Sequence, residues 1–228
     1  MIPLKDENPG ATFPLVTIGL IAANVAVYIY QMTLADPALH RFISGYGMIP
    51  AELLGKAPPI HAAIPAGLTL VTSQFVHGGL FHLLGNMLYL WIFGNNIEDL
   101  LGRVRFLFFY LLCGTLAAIA HIILNPLSTL PMVGASGAIA GVLGAYLVSF
   151  PGSRVLVLVF VIFFVTTARI SAFYVLGFWF VMQLLYALGS AGGEGTNIAY
   201  IAHIGGFLAG MWLVKKMQPG LNWRKRWR

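Results

Sequence analysis

The chain has 228 residues, of which 59% are hydrophobic and 9% charged, with a mean hydropathy of +0.85 and a formal net charge of +6. A water-soluble domain carries about 25% charged residues, so this composition excludes a soluble globular protein and predicts a membrane protein. At about 20 residues per span, the length allows roughly five to seven transmembrane helices and no sizeable soluble domain.

Hydropathy along the chain predicts an all-α membrane protein with six transmembrane helices. Residues 1–12 are expected to form a short cytoplasmic segment, residues 13–217 the membrane core and residues 218–228 a basic cytoplasmic tail. The loop over residues 33–72 is expected to lie partly at the membrane interface. Residues 154–169 are expected to form an apolar connector near the inner face. The six predicted spans are residues 13–32, 79–97, 104–124, 134–150, 170–188 and 197–217.

The basic residues set the orientation of these spans. Six of them follow the last apolar segment, which is typical of a cytoplasmic tail and not of a nucleic-acid-binding surface. With an even number of spans both termini then lie in the cytoplasm. The inner loops receive Arg103, Arg105, Arg154 and Arg169, whereas the outer loops keep Arg41 and Lys56. The first apolar run lacks a basic region and a clear cleavage site, so no cleavable signal peptide is predicted. The six basic residues near the C-terminus are Lys215, Lys216, Arg224, Lys225, Arg226 and Arg228.

Four polar side chains lie within predicted spans, where they are costly and by default suggest function. His82 and Asn86 share one face of the second span, since residues four apart are neighbours on a helix. Ser136 begins the fourth span and His203 lies near the start of the sixth. All three spans run from outside to inside, so these groups are expected at a similar depth below the outer face.

The surroundings of Ser136 and His203 suit a nucleophile and its general base. Backbone N–H groups at the start of a helix have no intrahelical partner and can stabilise an oxyanion. Small residues four apart let two membrane helices approach closely, as a serine–histidine hydrogen bond requires. The glycines expected to pack at the site are Gly134, Gly137, Gly141 and Gly144 around Ser136, and Gly206 and Gly210 after His203.

Each feature also has an ordinary structural explanation. A serine in a membrane helix usually bonds to its own helix, a histidine can serve a structural hydrogen bond, and glycine runs alone indicate packing. His77 and His82 are five apart, a poor spacing for shared metal ligation, and no metal or other cofactor is expected. The combination of these features favours catalysis.

At these positions the sequence resembles the rhomboid family of intramembrane serine proteases. The segment 134–141 (GASGAIAG) is similar to the family's nucleophile motif, and 202–206 (AHIGG) with Gly210 is similar to its histidine motif. His77, His82 and Asn86 resemble its second-helix pattern, and Glu98, Gly102 and Arg103 resemble the signature just after that helix. The resemblance extends over about residues 48–210.

This resemblance implies a six-helix bundle that hydrolyses peptide bonds of transmembrane protein substrates near the outer face, surrounded by membrane lipids. It implies that Ser136 is the nucleophile and His203 the general base, without a third acidic residue. It further implies that His82, Asn86 and the Ser136 N–H form the oxyanion site, that residues 189–196 cap the site and that the fifth helix is a lateral gate. Some family members carry a tyrosine four residues after the serine; here this position is Ala140, and another aromatic residue is expected to support His203.

Three alternatives remain open from the sequence. A non-enzymatic relative would bind membrane helices without cleaving them, although such proteins typically lose the serine or the histidine. A small transporter or channel would use the same polar groups as a proton or ion path, but intramembrane carboxylates and repeat symmetry are lacking. A metalloprotease would need a ligand cluster that the sequence does not supply. The short chain is typical of a prokaryotic cytoplasmic membrane protein.

Overall fold

The computed structural model describes residues 1–61, 63–161, 164–189 and 197–218. The described residues are mostly helical and form nine α-helices and three strands, with a 3₁₀ turn at Ala66–Leu68 before α4. The helices are α1 (Leu15–Met32), α2 (Asp36–Tyr46), α3 (Pro50–Leu53), α4 (Thr69–Thr72), α5 (Leu80–Leu101), α6 (Arg103–Leu124), α7 (Ser136–Ser149), α8 (Ala172–Gly189) and α9 (Asn197–Met217). The strands are β1 (Ile2–Asp6), β2 (Arg154–Val161) and β3 (Phe164–Ser171).

The prediction of a helical protein is confirmed for most of the described residues, but the fold is not all-α, because β1, β2 and β3 form an antiparallel sheet in that order. The expected connector at residues 154–169 is a hairpin, and the expected N-terminal segment contributes the third strand. Alternating β-branched residues explain the hairpin: Val155 and Val157 point into the core and are fully buried, as period-two alternation allows. The fifth long helix consequently begins at Ala172, two residues after its predicted start.

Three of the described helices are both long and apolar enough to cross a membrane: α1, α6 and α8. These helices carry many of the large apolar side chains that stay exposed, among them Phe108 and Phe178. An apolar exposed surface of this kind suits contact with lipid tails. The polar residues of the candidate site lie instead on α5, α7 and α9 or next to them. The chain is thus an integral membrane protein that passes the bilayer several times, and the prediction of six spans remains a prediction.

Helix α7 lies at the centre of the bundle. Every residue from Gly137 to Ser149 is buried, and the helix packs mainly against α9 and α6. Glycines permit the close contact with α9: a Cβ at Gly206 would overlap the carbonyl oxygen of Gly137, and one at Gly144 would overlap that of Phe207. Such contacts between small residues are typical of tightly packed membrane helices.

The sheet closes the end of the bundle opposite Ser136. Strand β2 follows the C-terminus of α7, which is about 20 Å from its N-terminus at 1.5 Å per residue. Asp6 of β1 is buried and accepts hydrogen bonds from Tyr146 Oη of α7 at 2.8 Å and Asn96 Nδ2 of α5 at 2.7 Å. At the rim, Arg169 Nε lies 2.7 Å from Glu7 Oε1. These contacts fix the N-terminal strand to the bundle.

The C-terminal end of α5 holds the N-terminus of α1. The buried Glu98 carboxylate accepts hydrogen bonds from Val16 N at 2.9 Å, Thr17 N at 2.8 Å and Thr17 Oγ1 at 2.8 Å. These amides belong to the first turn of α1 and have no partner within the helix. The neighbouring Asp99 accepts from Ala11 N and from Thr12. Helix α5 extends four residues beyond its predicted end, and its last turn thus carries the two carboxylates that accept these hydrogen bonds.

Two predicted segments lie outside the described residues. The expected cap is residues 189–196, of which the structure describes only Gly189, the last residue of α8. The basic tail is described only at residue 218, although Lys215 and Lys216 lie in the last turn of α9. Positive side chains there interact favourably with the negative end of the helix dipole.

Candidate active site

A pocket of about 540 Å³ brings the sequence-predicted site residues together. It is lined by side chains from α5, α7, α8 and α9 and by the loop that precedes α7. The lining is mostly apolar, with a few converging polar groups, which is the usual composition of a ligand site. Its polar members include Gln74, His82, Asn86, Ser136 and His203.

Ser136 is the first residue of α7 and is partly buried. The first intrahelical hydrogen bond at this end runs from Ile139 N to Ala135 O at 3.0 Å. The N–H groups of Ser136, Gly137 and Ala138 therefore have no partner within the helix, as is general for a first turn. They form the positive end of the α7 dipole and lie beside the serine hydroxyl, where negative charge would be stabilised.

The loop before Ser136 is held in place by backbone hydrogen bonds and by Gly134. Met132 and Met48 exchange two backbone hydrogen bonds, of 2.8 and 3.0 Å, and Gly134 N donates to Ser73 O at 2.8 Å. Gly134 has a φ of +121°, and a Cβ there would lie 2.7 Å from His82 Nε2. Glycine is therefore required both by the backbone conformation and by the approach of the His82 ring.

Asn86 is oriented by His77, a residue just before α5. His77 is almost fully buried, and Asn86 Nδ2 donates to His77 Nε2 at 2.9 Å. His77 Nδ1 lies 3.3 Å from the carbonyl oxygen of Phe75, which can only accept, so Nδ1 carries the proton and Nε2 is the acceptor. The Asn86 amide has a second N–H, which this contact leaves available to the pocket. The His77 and His82 rings meet edge to face at 5.2 Å.

His203 faces the pocket from α9, and two residues of α8 contact it. Its Nδ1 lies 2.9 Å from Gln183 Oε1, and its ring lies 5.8 Å from the Trp179 ring at an angle of 38°. His203 Nε2 is buried, and within the described part of the chain it has no hydrogen-bond partner. Ser136 and His203 line the same pocket without a hydrogen bond between them among the described contacts. Catalytic hydrogen bonds are often long in a protein without substrate.

Four of the glycines predicted to pack at the site, Gly137, Gly141, Gly206 and Gly210, lie where α7 meets α9 and α6, whereas Gly134 lies in the loop before α7 against His82. A Cβ at Gly210 would overlap the backbone of Gly141, and one at Gly137 would lie 2.7 Å from the Ala117 Cβ of α6. Gly141 itself faces Cys113, where a Cβ would lie 2.5 Å from the sulfur. Since Gly137 follows Ser136 directly and Gly206 is one turn after His203, this contact sets the separation of the two candidate catalytic residues.

Sequence reasoning missed Gln183 and Gln74. Gln183 is a buried polar residue inside an apolar helix, so the criterion that selected His82 and His203 could also have selected it. Gln74 lies just before the second predicted span and donates to the carbonyl oxygens of Leu70 and Leu111. A Cβ at Gly114 would overlap the Gln74 amide. This is a tertiary contact, and no local sequence pattern predicts it.

Comparisons with known proteins identify the family. The model described as "Rhomboid domain" matches residues 66–218, more than half of the chain. This chain therefore belongs to the rhomboid family.

Several curated relatives resemble the chain over most of its length. The human "Presenilin-associated rhomboid-like protein, mitochondrial" is 30% identical over 213 residues, covering 91% of this chain and 49% of the relative. The Saccharomyces cerevisiae "Rhomboid protein 1, mitochondrial" is 28% identical over 207 residues, covering 86% and 52%. The Bacillus subtilis "Rhomboid protease GluP" is 44% identical over 78 residues, covering 34% and 15%. The chain thus spans about half the length of the first two relatives.

Proposed function

We propose that this protein is an intramembrane serine endopeptidase that hydrolyses peptide bonds of transmembrane proteins near the outer membrane face. Ser136 is the nucleophile and His203 the general base. The observation that carries the proposal is the convergence of Ser136, His203, His82 and Asn86 on one pocket from three different helices. Membership of a family in which one of the relatives is named a protease supports the same reaction class.

The reaction follows from the roles that these groups can take. His203 Nε2 accepts the proton of the Ser136 hydroxyl while Oγ attacks the peptide carbonyl carbon, which forms a tetrahedral intermediate with a negative oxygen. The Ser136 N–H, the Asn86 amide and a ring N–H of His82 donate to this oxygen. The His203 imidazolium then gives its proton to the leaving amine, and the Ser136 acyl ester remains. Water attacks the ester and gives a proton to His203. The bond between Oγ and the acyl carbon then breaks, Ser136 Oγ takes the proton from His203, and the carboxylic acid product leaves the free enzyme.

The membrane arrangement is part of the proposal. Besides the three apolar helices, α5 and α9 have 22 and 21 residues, which at 1.5 Å per residue is about 32 Å, enough for a hydrocarbon core of about 30 Å. With the short α7 this gives six membrane helices, and the core over residues 13–217 then has both termini on the inner side. The sheet lies on that side, with the polar groups of the pocket near the outer face. The relatives include proteins named mitochondrial and a bacterial protein. Location of this chain in a prokaryotic cytoplasmic membrane therefore stays a prediction.

Labelling with a fluorophosphonate probe tests the catalytic assignment. The probe reacts with a serine only when a base activates it and a cavity admits the probe. The purified wild type in detergent should be labelled, whereas Ser136→Ala and His203→Ala should not. Ser149→Ala is the matched control, since Ser149 is the last residue of the same helix, and it should be labelled like the wild type. A folded wild type that is not labelled, or labelling that persists in Ser136→Ala, would overturn the proposal and favour a non-enzymatic helix-binding protein.

The orientation can be tested separately by thiol labelling in sealed vesicles. Cys113 is buried and is the single cysteine of the chain, so an added cysteine reports its own side of the membrane. A cysteine at Gly152, beside the sheet, should react only with permeant reagents in right-side-out vesicles. A cysteine at Lys56, which is exposed in the loop between α3 and α4, should react with impermeant reagents as well. The reverse pattern would invert the proposed topology.

A further inference from the structure

We infer that Gln183 is a positioning residue for His203, which it holds in the tautomer that a general base needs. The inference rests on the proposed function of Ser136 and His203. Gln183 lies on α8, is 8% exposed and places its Oε1 2.9 Å from His203 Nδ1. An amide oxygen can only accept a hydrogen bond, so this contact requires a proton on Nδ1. A neutral imidazole protonated at Nδ1 has a free electron pair at Nε2, the atom that would take the Ser136 proton.

The orientation of the Gln183 amide follows from its second contact. Gln183 Nε2 lies 3.5 Å from the carbonyl oxygen of Trp179, one turn earlier in α8. A carbonyl oxygen can only accept, so the amide nitrogen belongs on that side and the amide oxygen faces His203. A reversed amide would place its N–H₂ group against His203 Nδ1 and its oxygen against the carbonyl oxygen of Trp179. The reversed arrangement would also favour the tautomer with the proton on Nε2, which cannot accept from serine.

Trp179 and Gln183 act on His203 together because residues four apart lie on the same face of a helix. The indole covers the imidazole at 5.8 Å and also stacks on Phe207 at 6.0 Å. Phe180 also stacks on Phe207, with the ring centroids 4.6 Å apart. The aromatic contacts limit the position of the His203 ring, while the hydrogen bond to Gln183 limits the rotation of the ring about its Cβ–Cγ bond.

A glutamine suits this place because the site is buried in an apolar bundle. In serine proteases with a triad, an aspartate accepts from the histidine Nδ1–H and also stabilises the imidazolium. A carboxylate here would be a buried charge without a partner whenever the histidine is neutral, which is costly. The amide oxygen of Gln183 accepts the same hydrogen bond without a net charge. It therefore fixes the tautomer and stabilises the imidazolium less than a carboxylate would.

The test uses the full chain in detergent with two variants of Gln183 and one control. Gln183→Leu removes the acceptor with little change in volume, and Gln183→Glu keeps an acceptor oxygen at the same distance. Leu185→Ala is the control for general disturbance of α8, because Leu185 is 54% exposed on that helix. Thermal unfolding of each variant in detergent shows that it is folded before the other measurements are made.

The first readout is the position of the proton on His203 and does not depend on activity. In protein labelled with ¹⁵N-histidine, the His203 signals are assigned by their loss in His203→Ala. We expect the wild type to show an Nδ1–H and a proton-free Nε2, and Gln183→Leu to shift toward the Nε2–H tautomer. A wild-type His203 that carries its proton on Nε2 would overturn the inference without any Gln183 variant.

The second readout is the rate constant of fluorophosphonate labelling. Loss of one neutral hydrogen bond is worth about tenfold in rate, so we expect Gln183→Leu to be labelled about tenfold more slowly. Gln183→Glu should recover most of this rate, and Leu185→Ala should equal the wild type. Equal losses in both Gln183 variants with an unchanged His203 tautomer would show a packing role and refute the inference. A wild type that is not labelled, but whose Nδ1–H is lost in Gln183→Leu, would refute the proposed activity and still support the positioning role.

Discussion

Gly210 of α9 faces the backbone of Gly141 on α7 so closely that a Cβ at position 210 would overlap the Gly141 carbonyl group. Backbone cannot move aside as the end of a long side chain can. The two helices would have to separate, which would also change the distance between Ser136 and His203. The absence of a Cβ at Gly210 therefore helps to set the distance between Ser136 and His203, although Gly210 lies more than one helical turn from His203.

We expect Gly210→Ala to destabilise the folded protein by at least about 2 kcal/mol, the order found for overpacked cores. Fluorophosphonate labelling should fall with it, since the two helices carry the candidate catalytic pair. Thermal unfolding in detergent measures the stability. Gly177→Ala on α8 is the matched control, because no atom of the described residues lies within 4 Å of a Cβ at that position; it should be neutral or stabilising. Equal behaviour of the two variants would contradict the role of this helix contact.

Glu98 supports α1 through three hydrogen bonds to Val16 and Thr17. In Glu98→Gln one carboxylate oxygen becomes an amide N–H₂ group, which cannot accept. We expect a loss of about 2 kcal/mol in unfolding free energy, as for a buried hydrogen bond to a charged group. Asp99→Asn is the control: Asp99 accepts comparable hydrogen bonds at an exposed site, so its loss should be smaller. A larger loss in Asp99→Asn would refute this explanation.

The Asp6 contact should make stability depend on pH. Burial raises the pKa of the Asp6 carboxyl above its ordinary value of 3.8, although hydrogen bonds from Tyr146 and Asn96 oppose the shift. The folded protein thus holds this proton more tightly than the unfolded chain does. The Asp6 contribution to stability is fully present below pH 3.8 and is lost as the pH rises through the raised pKa.

Asp6→Asn keeps the shape of the side chain and does not titrate. We expect the variant to exceed the wild type in stability near neutral pH and the difference to shrink as the pH is lowered. Unfolding midpoints in detergent between about pH 4 and about pH 8 measure this difference. A difference that widens on acidification would mean that the carboxylate, and not the acid, is the stable form in the folded protein.

Asn86 should affect the rate of the proposed reaction more than the fold. If its free N–H stabilises the oxyanion, Asn86→Ala should lower the labelling rate by about 10²-fold, the typical cost of one such donor. His77→Phe should give a smaller decrease, because it removes only the group that orients Asn86. Leu84→Ala, on the exposed side of α5, is the control and should be labelled normally. Wild-type rates in Asn86→Ala would remove this residue from the proposed oxyanion site.

Much of the helical core could be predicted from sequence, because hydropathy directly reports segments that avoid water. The predicted sixth span has the bounds of α9. The predicted third span differs from α6 by one residue at its start, and the predicted fourth span differs from α7 by two residues at its start and one at its end. Intramembrane polar residues also predicted which side chains line the pocket, since each carries a cost that packing alone does not offset. Their catalytic roles stay predictions.

The sheet was missed for a different reason. Its middle strand alternates Val155 and Val157 with leucines, a pattern that is compatible with a strand but also with an apolar connector. Its partner β1 lies about 150 residues earlier, and Ile2 pairs with Leu158. Pairing over such a distance leaves no local signal. The contact between Gln183 and His203 was missed similarly, because it depends on how α8 packs against α9.

Helix α7 also bears on how the protein is made. It has 14 residues and is buried on all sides, so at about 21 Å it is shorter than a bilayer core of about 30 Å and presents no face to lipid. A segment of this length cannot span the hydrocarbon core by itself. We expect α6 and α9 to insert first and α7 to settle between them late in assembly. Ser136 would then join the other site residues only in the fully assembled bundle. A partly assembled chain would therefore lack the proposed proteolytic activity toward other membrane proteins.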